Sequence, residues 1–450
     1  MIMIMIRFLF LTLILFSADV SADFQRDTLI IGFHKEADRE GILKSVKGEL
    51  KTMIDGDTMS VTLPRGSNLE LLSRILLKKS GVKYVEKNQI YKTDATANDT
   101  YANSSYLWGM FGTYGSGASS AWANGRTDCS SVVVGITDTG TYNLHEDLID
   151  NIWSNPGESF NTYDDDANGY KDDLYGWDFD GNNSSIYDSG GMELTWNGSA
   201  YVPRYSSDIT GASVTQSANS HGSHVAGTIA GRGGNSIGVA GICWTAKIMT
   251  LKVCEKGACY TDAAARALNY AAYMKNYKSV PIVAINASWG GSTSPSTALS
   301  SAIDAINSAG ILFVTSAGNS TVNLNSTPVY PVCYSQANVI GVAAIDSAGA
   351  LASFSNYGSN CVELGAPGVS INSSVPSFDP TTREWSSKYM SFNGTSMAAP
   401  HVTGAAALYK AYHPAATMTD IKNALLAGTT TTSLASPKTS SGNRLYIGGF

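Results

Sequence analysis

Five short runs of β-branched and apolar residues recur along the chain, at Val132–Ile136, Lys247–Val253, Pro281–Ile285, Ile311–Val314 and Val339–Val342, with Ala-rich helical stretches at Asp262–Lys275, Thr297–Ala309 and His401–Tyr412. A strand that is apolar at successive positions has no face to give to water, so both faces must be covered. Strands that alternate with helices are joined by crossovers and run parallel. From about residue 98 to Phe450 the pattern therefore predicts a three-layer α/β domain with a mostly parallel sheet. In such sheets the ligand-facing groups gather beyond the carboxyl ends of the strands.

The N-terminal part reads differently. Apolar stretches at Thr28–Phe33, Met59–Leu63 and Val82–Val85 enclose helix-like segments at Ala37–Leu50 and Leu69–Lys79. This is a small βαββαβ-type α+β unit. A Ser- and Asn-rich stretch from Thr93 to Ser105 follows, polar enough to connect two domains and to be open to proteolysis. Ahead of the unit, MIMIMIRFLFLTLILF is followed by Val20-Ser21-Ala22, a small-residue pattern suited to signal cleavage. The division expected is a signal peptide at 1–22, an N-terminal unit at 23–97 and the large domain at 98–450. An uncleaved anchor is the alternative, but the apolar run is shorter than the roughly 20 residues of a spanning helix.

A net charge of −7 with no Lys/Arg run excludes the electrostatic footprint of a nucleic-acid binder. Export would put the six cysteines, Cys129, Cys243, Cys254, Cys259, Cys333 and Cys361, in an oxidising setting where disulfides are expected. Their pairing is not legible, beyond the ability of Cys254 and Cys259 to close a small local loop. Free buried thiols are the alternative.

Three motifs carry the chemistry. The strand Val132–Ile136 runs into Thr137-Asp138-Thr139-Gly140, an acid at the end of a buried strand; the same tripeptide serves as a turn, and in aspartic proteases as a catalytic element. Ser220-His221-Gly222-Ser223-His224-Val225-Ala226-Gly227-Thr228 places a histidine at a helix start, among small residues that allow close backbone approach. Two histidines three apart could ligate a metal, but no Glu lies between them as zinc-protease chemistry needs. Phe392-Asn393-Gly394-Thr395-Ser396-Met397-Ala398-Ala399-Pro400-His401-Val402 sets a serine against an Ala-rich helix, whose N-terminus favours developing negative charge.

Taken in order, these segments resemble the subtilisin-like serine proteases, over nearly the whole chain after the signal peptide. The resemblance implies a subtilisin-like fold, preceded by a ferredoxin-like inhibitory propeptide whose last strand is Val82–Glu86. It implies that His221 takes the proton of Ser396, that Asp138 fixes the imidazole tautomer, and that Asn319, at the end of Ile311–Asn319, donates to the oxyanion together with the Ser396 N–H. Ser288, Trp289 and Gly290 resemble the edge segment that pairs with a substrate backbone. Ser316, Ala317 and Gly318 would form the other wall of the P1 pocket, and Val329 would make that pocket shallow. For Trp289, ordinary core packing is the alternative.

Two calcium sites follow from the same likeness and from ligand chemistry. Asp147 and Asn235 would give side-chain oxygens, with carbonyls from Gly233, Ile237 and Val239. The alternative for this loop is a Gly-rich turn. Asp164, Asp166 and Asn168 stand at alternate positions with Gly169 sixth, like the start of a calcium loop, although position 12 is Tyr175 and no Glu follows. A solvated acidic loop is the alternative there. The expectation as a whole is an exported, autoprocessed serine endopeptidase, monomeric, acting on polypeptides and inhibited by its own propeptide, with no organic cofactor, no nucleic-acid partner and no membrane attachment after signal cleavage. Its rival is a secreted pseudoprotease that keeps the scaffold as a binding module. A dedicated processing protease that cuts at dibasic sites is not expected, since such relatives carry acidic pocket residues and a further C-terminal domain.

Overall fold

A computed structural model describes residues 24–89, 97–187, 192–196, 201–205, 216–255, 257–379, 382, 384–430 and 432–450. The signal-peptide segment lies outside these residues, as do residues 92–96 of the expected cleavage region. The chain divides into two compact units, one to Lys92 and one from Thr93.

In the first unit, β1 (Phe24–Phe33), α1 (Arg39–Ser45), β2 (Glu49–Met53), β3 (Thr58–Thr62), α2 (Leu69–Leu76) and β4 (Val82–Gln89) follow one another as βαββαβ. The sheet order is β2-β3-β1-β4, and all neighbours are antiparallel. Leu29, Ile31, Phe33, Val61 and Leu76 are buried together with Ile42 and Leu69 from the helices. The first helix is shorter than its apolar pattern suggests. It stops at Ser45 because Lys47 turns left-handed at φ 52° and Gly48 follows, after which Glu49 opens a strand that the pattern did not reveal.

The second unit holds a nine-stranded sheet. After the short helices α3 (Trp108–Phe111) and α4 (Ala118–Ala123) come β5 (Val133–Asp138), β6 (Gly176–Asp178), a separate hairpin of β7 (Met192–Trp196) and β8 (Tyr201–Tyr205), and helix α5 (Gln216–Ala230). Then follow β9 (Lys247–Lys252), a small ribbon of β10 (Cys254–Glu255) and β11 (Ala258–Cys259), α6 (Thr261–Lys278), β12 (Ile282–Ala287), α7 (Thr297–Ser308), β13 (Leu312–Ser316), β14 (Val339–Ile345) and β15 (Leu364–Pro367). A long hairpin of β16 (Ile371–Asp379) and β17 (Glu384–Phe392) leads to α8 (Thr395–Tyr412), α9 (Met418–Leu426), β18 (Thr429–Thr430) and β19 (Asn443–Arg444). The sheet order is β18-β19-β15-β14-β13-β12-β5-β9-β6, parallel except for the β18–β19 pair.

The two-sided burial required by the sequence is met residue by residue. Val134, Leu312 and Val314 join Val225, Ile229, Ala398 and Val402 of α5 and α8 in one core. Their strand neighbours Val133, Phe313 and Leu251 join Leu268 of α6 and Ile303 of α7 in the other. Alanines on α6 and α8 bring those helices close to the sheet, where burying each large apolar side chain contributes about 1.5–3 kcal/mol. Three disulfides pair all six cysteines: Cys129–Cys243, Cys254–Cys259 and Cys333–Cys361.

Candidate active site

The carboxyl ends of three adjacent parallel strands deliver the site. Asp138 ends β5, Ser288 follows β12, and Asn319 lies three residues beyond β13. Helix α5 brings His221 to Asp138, and helix α8 begins one residue before Ser396. The first of these helices starts earlier than its motif suggested, at Gln216, so His221 sits in its second turn. Close approach depends on Gly222: a methyl there would lie 2.2 Å from the Gly140 carbonyl oxygen and 3.2 Å from the Asp138 Cβ. The Ser223 hydroxyl accepts from the Tyr142 N–H at 2.9 Å.

His221 Nδ1 donates to both carboxylate oxygens of Asp138, at 2.8 and 3.0 Å, which leaves the Nε2 lone pair free. Asp138 is buried, and its Oδ1 also accepts from the Thr139 N–H at 2.8 Å. Burial pulls the imidazole down, but the charge of Asp138 and its hydrogen bond outweigh this, and the net displacement is upward from 6.5. His224 plays another part. Its Nε2 faces the carbonyls of Ile371 and Met390 at 2.9 and 3.1 Å, and its ring stacks on Phe392. Burial pushes it down to about 3, so it is neutral and donates to those carbonyls rather than ligating with His221.

Ser396 lines the same cleft as Asp138 and His221. Its Oγ donates to the Ser288 carbonyl at 3.0 Å, and Ser288 Oγ donates back to the Ser396 carbonyl at 2.8 Å. The hydroxyl proton is thus directed at the strand edge, and it must be turned away from the Ser288 carbonyl to be presented to the imidazole. Such contacts commonly tighten only with substrate bound. Asn286, fully buried, supports this edge by donating to Ser288 Oγ at 2.8 Å.

The amide of Asn319 has a fixed orientation. Its Oδ1 accepts from both the N–H and the hydroxyl of Thr395, each at 2.9 Å. That leaves Nδ2 to face the cleft. A methyl built on Gly394 would lie 3.3 Å from Asn319 Nδ2 and 3.5 Å from the Ser396 nitrogen, so two donors converge on one spot beside the serine. The Ser396 N–H, in the first turn of α8, has no partner within its own helix. The arrangement can stabilise an oxyanion next to a nucleophile and a base.

The cleft encloses about 690 Å³. Ser288, Trp289 and Gly290 line one side, and Ser316, Ala317, Gly318 and Val329 line the pocket beyond. Trp289 packs against the second core and lines the cleft, and its Nε1 donates to the Thr137 carbonyl at 2.9 Å. Tyr330 precedes a cis peptide to Pro331, and its backbone bonds Gly291 and Ser292 across the pocket. The ionisable groups lining the cleft among the described residues are Asp138, His221, Tyr330 and Tyr334, and the one carboxylate, Asp138, is already bonded to His221.

At the first calcium candidate, Asp147 is fully buried, and burial with the nearby charge of Asp99 raises its carboxyl to about 7. Asp147 accepts from Asn235 Nδ2 at 3.0 Å and from the Val239 N–H at 2.7 Å. Asp99, also buried, accepts from the N–H groups of Gly234 and Asn235 at 3.0 Å. Two buried carboxylates that, among the described residues, form no ion pair with a basic side chain fit a hard divalent cation. Asn235 fits it only after its amide turns over, because Oδ1 now accepts from the Ile237 N–H. At the second candidate, carboxylate oxygens of Glu158, Asp164 and Asp166 lie within 4.8 Å of one another. Asn168 spends its side chain on Asp173 and on the Tyr170 N–H.

Sequence reasoning passed over Thr395, Asp99 and Glu158. Thr395 stands inside the serine motif, where its adjacency to Ser396 is the only signal. Asp99 and Glu158 lie 48 and 6 positions before the groups they meet, Asp147 and Asp164, and nothing local marks them.

The comparisons with known proteins agree with this geometry. Residues 130–443 match the family model described as the subtilase family, and residues 15–88 match that of the fervidolysin N-terminal prodomain. An extracellular protease of Xanthomonas campestris pv. campestris is 35% identical over 367 residues, which cover 79% of this chain and 57% of that protein. Subtilisin Savinase of Lederbergia lenta is 39% identical over 240 residues, 53% of this chain and 77% of that protein. A solved protease structure from Pseudoalteromonas arctica superposes with a TM-score of 0.56 at 28% identity, covering 78% of this chain and 97% of the other. With the sheet, the crossovers and the family match all in agreement, the chain belongs to the subtilase family.

Proposed function

We propose that this protein is an exported serine endopeptidase, made as a zymogen, in which Asp138, His221 and Ser396 form the triad and Asn319 and the Ser396 N–H form the oxyanion hole. The observation that carries this reading is the bond of His221 Nδ1 to both oxygens of Asp138, in a cleft shared with Ser396 and Asn319. In the first step the Ser396 hydroxyl leaves the Ser288 carbonyl, gives its proton to His221 Nε2 and attacks the scissile carbonyl carbon. The carbonyl oxygen becomes an oxyanion held by Asn319 Nδ2 and the Ser396 N–H. The C–N bond then breaks as the imidazolium returns the proton to the leaving amine, and an acyl-serine remains. Water, deprotonated by the same imidazole, releases the acid. Asp138 stabilises the imidazolium throughout.

The N-terminal unit, residues 23–97, would act as an intramolecular inhibitor and folding aid after removal of a signal peptide at 1–22, and cleavage between about Lys92 and Ser105 would free the domain at 98–450. Its match to a prodomain family supports this. Val329 in the pocket, without an acidic partner, supports small or medium apolar P1 residues. Calcium would be held by Asp147, Asn235 and the carbonyls of Gly233, Ile237 and Val239, braced by Asp99, with a weaker site at Asp164, Asp166 and Glu158. Bound there, the ion would neutralise buried carboxylates and lock the loop at residues 233–239.

The test expresses the full chain and its Ser396→Ala variant and compares N-terminal processing and casein hydrolysis. The parent should mature and degrade casein while the variant does neither. Equal processing and hydrolysis by the two would overturn the assignment.

A further inference from the structure

Strand β13 ends at Ser316, so the segment that carries Asn319 to the cleft leaves the sheet and must find other partners for its backbone. Its conformation is unfavourable in isolation: Gly318 stands at φ 99° and Thr321, a β-branched residue, at φ 58°. A non-glycine residue in the left-handed region costs of order 1–3 kcal/mol and persists only where its surroundings hold it. One side chain supplies much of that hold. Asn356, buried and 37 positions beyond Asn319, donates Nδ2 to the Ala317 carbonyl at 2.9 Å, while its Oδ1 accepts from the N–H groups of Ser320 at 3.0 Å and Val322 at 2.8 Å. Its own N–H donates to the Gly318 carbonyl at 2.8 Å. Bonds thus reach residues on both sides of Asn319. A methyl on Gly318 would lie 2.5 Å from Asn356 Nδ2, so the two segments close up only because residue 318 has no side chain.

We propose that Asn356 is a positioning residue for the oxyanion site: by holding the backbone on both sides of Asn319, it sets where Nδ2 stands relative to Ser396. Thr395 decides which end of the Asn319 amide faces the cleft, and Asn356 decides where that amide is. The task suits asparagine, because one planar amide has to accept two N–H groups and donate a third, and an ionised aspartate has no donor. A donor serves an oxyanion only over a narrow range of positions, and a misplacement of about 1 Å is enough to cost about 10²-fold in rate. Asn356 borders the cleft yet is only 3% exposed, so it acts through this backbone rather than by touching substrate. The proposal rests on the protease reading and deepens it.

The test compares the parent with Asn356→Ala, each expressed as the full chain and matured, on an apolar tetrapeptide anilide, with rates divided by the number of sites that a fluorophosphonate labels. Per site, kcat should fall about 10- to 100-fold with KM within about 2-fold, the signature of a displaced donor. In an Asn319→Ala background the same change should cost less than about 2-fold further. A merely structural role would lower the thermal midpoint and the number of labelled sites while kcat per site stayed at the parent value, and that result overturns the proposal. So does a loss confined to KM, or a loss of equal size with and without Asn319. If Asn356→Ala does not mature, Asn356→Asp takes its place, since it keeps the volume and both accepted bonds and gives up only the bond to Ala317; a parental kcat per site in that variant overturns the proposal as well. Hydrolysis that survives Ser396→Ala would instead sink the protease reading, so the two failures are distinguishable.

Discussion

Replacing Thr395 by Val deletes one hydroxyl and little volume at a fully buried position one residue before Ser396, the proposed nucleophile. That hydroxyl makes two bonds, donating to Asn319 Oδ1 at 2.9 Å and accepting from the Gly318 N–H at 3.0 Å. The Thr395 N–H still holds Asn319 Oδ1 at 2.9 Å, so the amide keeps one of its two restraints. A net hydrogen bond is worth about 1 kcal/mol, so the oriented amide should lose roughly 5-fold in its hold on the oxyanion. The loss is bounded above by removal of the amide itself, about 10²–10³ in kcat, the range that holds when subtilisin loses its oxyanion asparagine. The variant should therefore keep its KM and lose about 5–10-fold in kcat, while the orphaned Gly318 N–H costs about 1–3 kcal/mol of stability. Steady-state kinetics on a tetrapeptide anilide, with thermal unfolding alongside, measures both. Thr395→Ser should restore most of the activity. The decisive arm is a double-mutant cycle: in an Asn319→Ala background the Thr395 change should have no further effect on kcat. The same fold loss in both backgrounds would refute action through Asn319.

Three further outcomes are expected. His221 must be neutral to act as a base, and although burial pulls its pKa down, the charge and hydrogen bond of Asp138 together raise it, so the acid limb of kcat/KM should lie above 6.5; a limb below that value would mean that burial outweighs Asp138. Chelation should lower the thermal midpoint, with calcium at about 100 times its Kd worth roughly 2.7 kcal/mol, and Asp147→Ala should abolish most of the response; an identical response in the variant would remove Asp147 from the site. In a panel of peptides that differ only at P1, Ala, Val or Leu should exceed Phe and Arg, and Val329→Gly should raise the relative rate with Phe; a parent that favours Arg would refute the pocket reading.

The layered architecture was legible because parallel strands buried on both faces leave a trace that composition cannot hide. Val133 and Val134 go to opposite cores, as do Leu312 and Phe313, and each pair reads as continuous apolar sequence. Edge elements left no such trace. Strand β6 is three residues long, β18 and β19 two each, and β2 is exposed along its whole length, so none needs an apolar pattern. In the β16–β17 ribbon only β17 alternates half-buried with exposed residues, whereas β16 buries Ser373, Ser374 and Val375 in succession, with the two serine hydroxyls donating to the His224 and Ser223 carbonyls of α5, so neither strand shows a continuous apolar run.

The site divides along the same physical line. Asp138, His221, Asn319 and Ser396 each sit in a stretch whose small residues exist to let backbones touch, and Gly222, 2.2 Å from a carbonyl in the sense of a missing methyl, is the clearest case. Such residues are constrained locally, so the sequence displays them. What orients them is not local: the Asn319 amide is fixed by a threonine 76 positions away, and the Asp147 loop by Asp99. Asn319 shows why this matters for function. An asparagine that ends an apolar strand could present either Oδ1 or Nδ2 to the cleft, and only Nδ2 can stabilise an oxyanion. The choice is made by the two donors of Thr395, and it follows that the orientation of one motif's amide is set by a residue of another, through contacts that exist only once the sheet has brought β13 beside the start of α8.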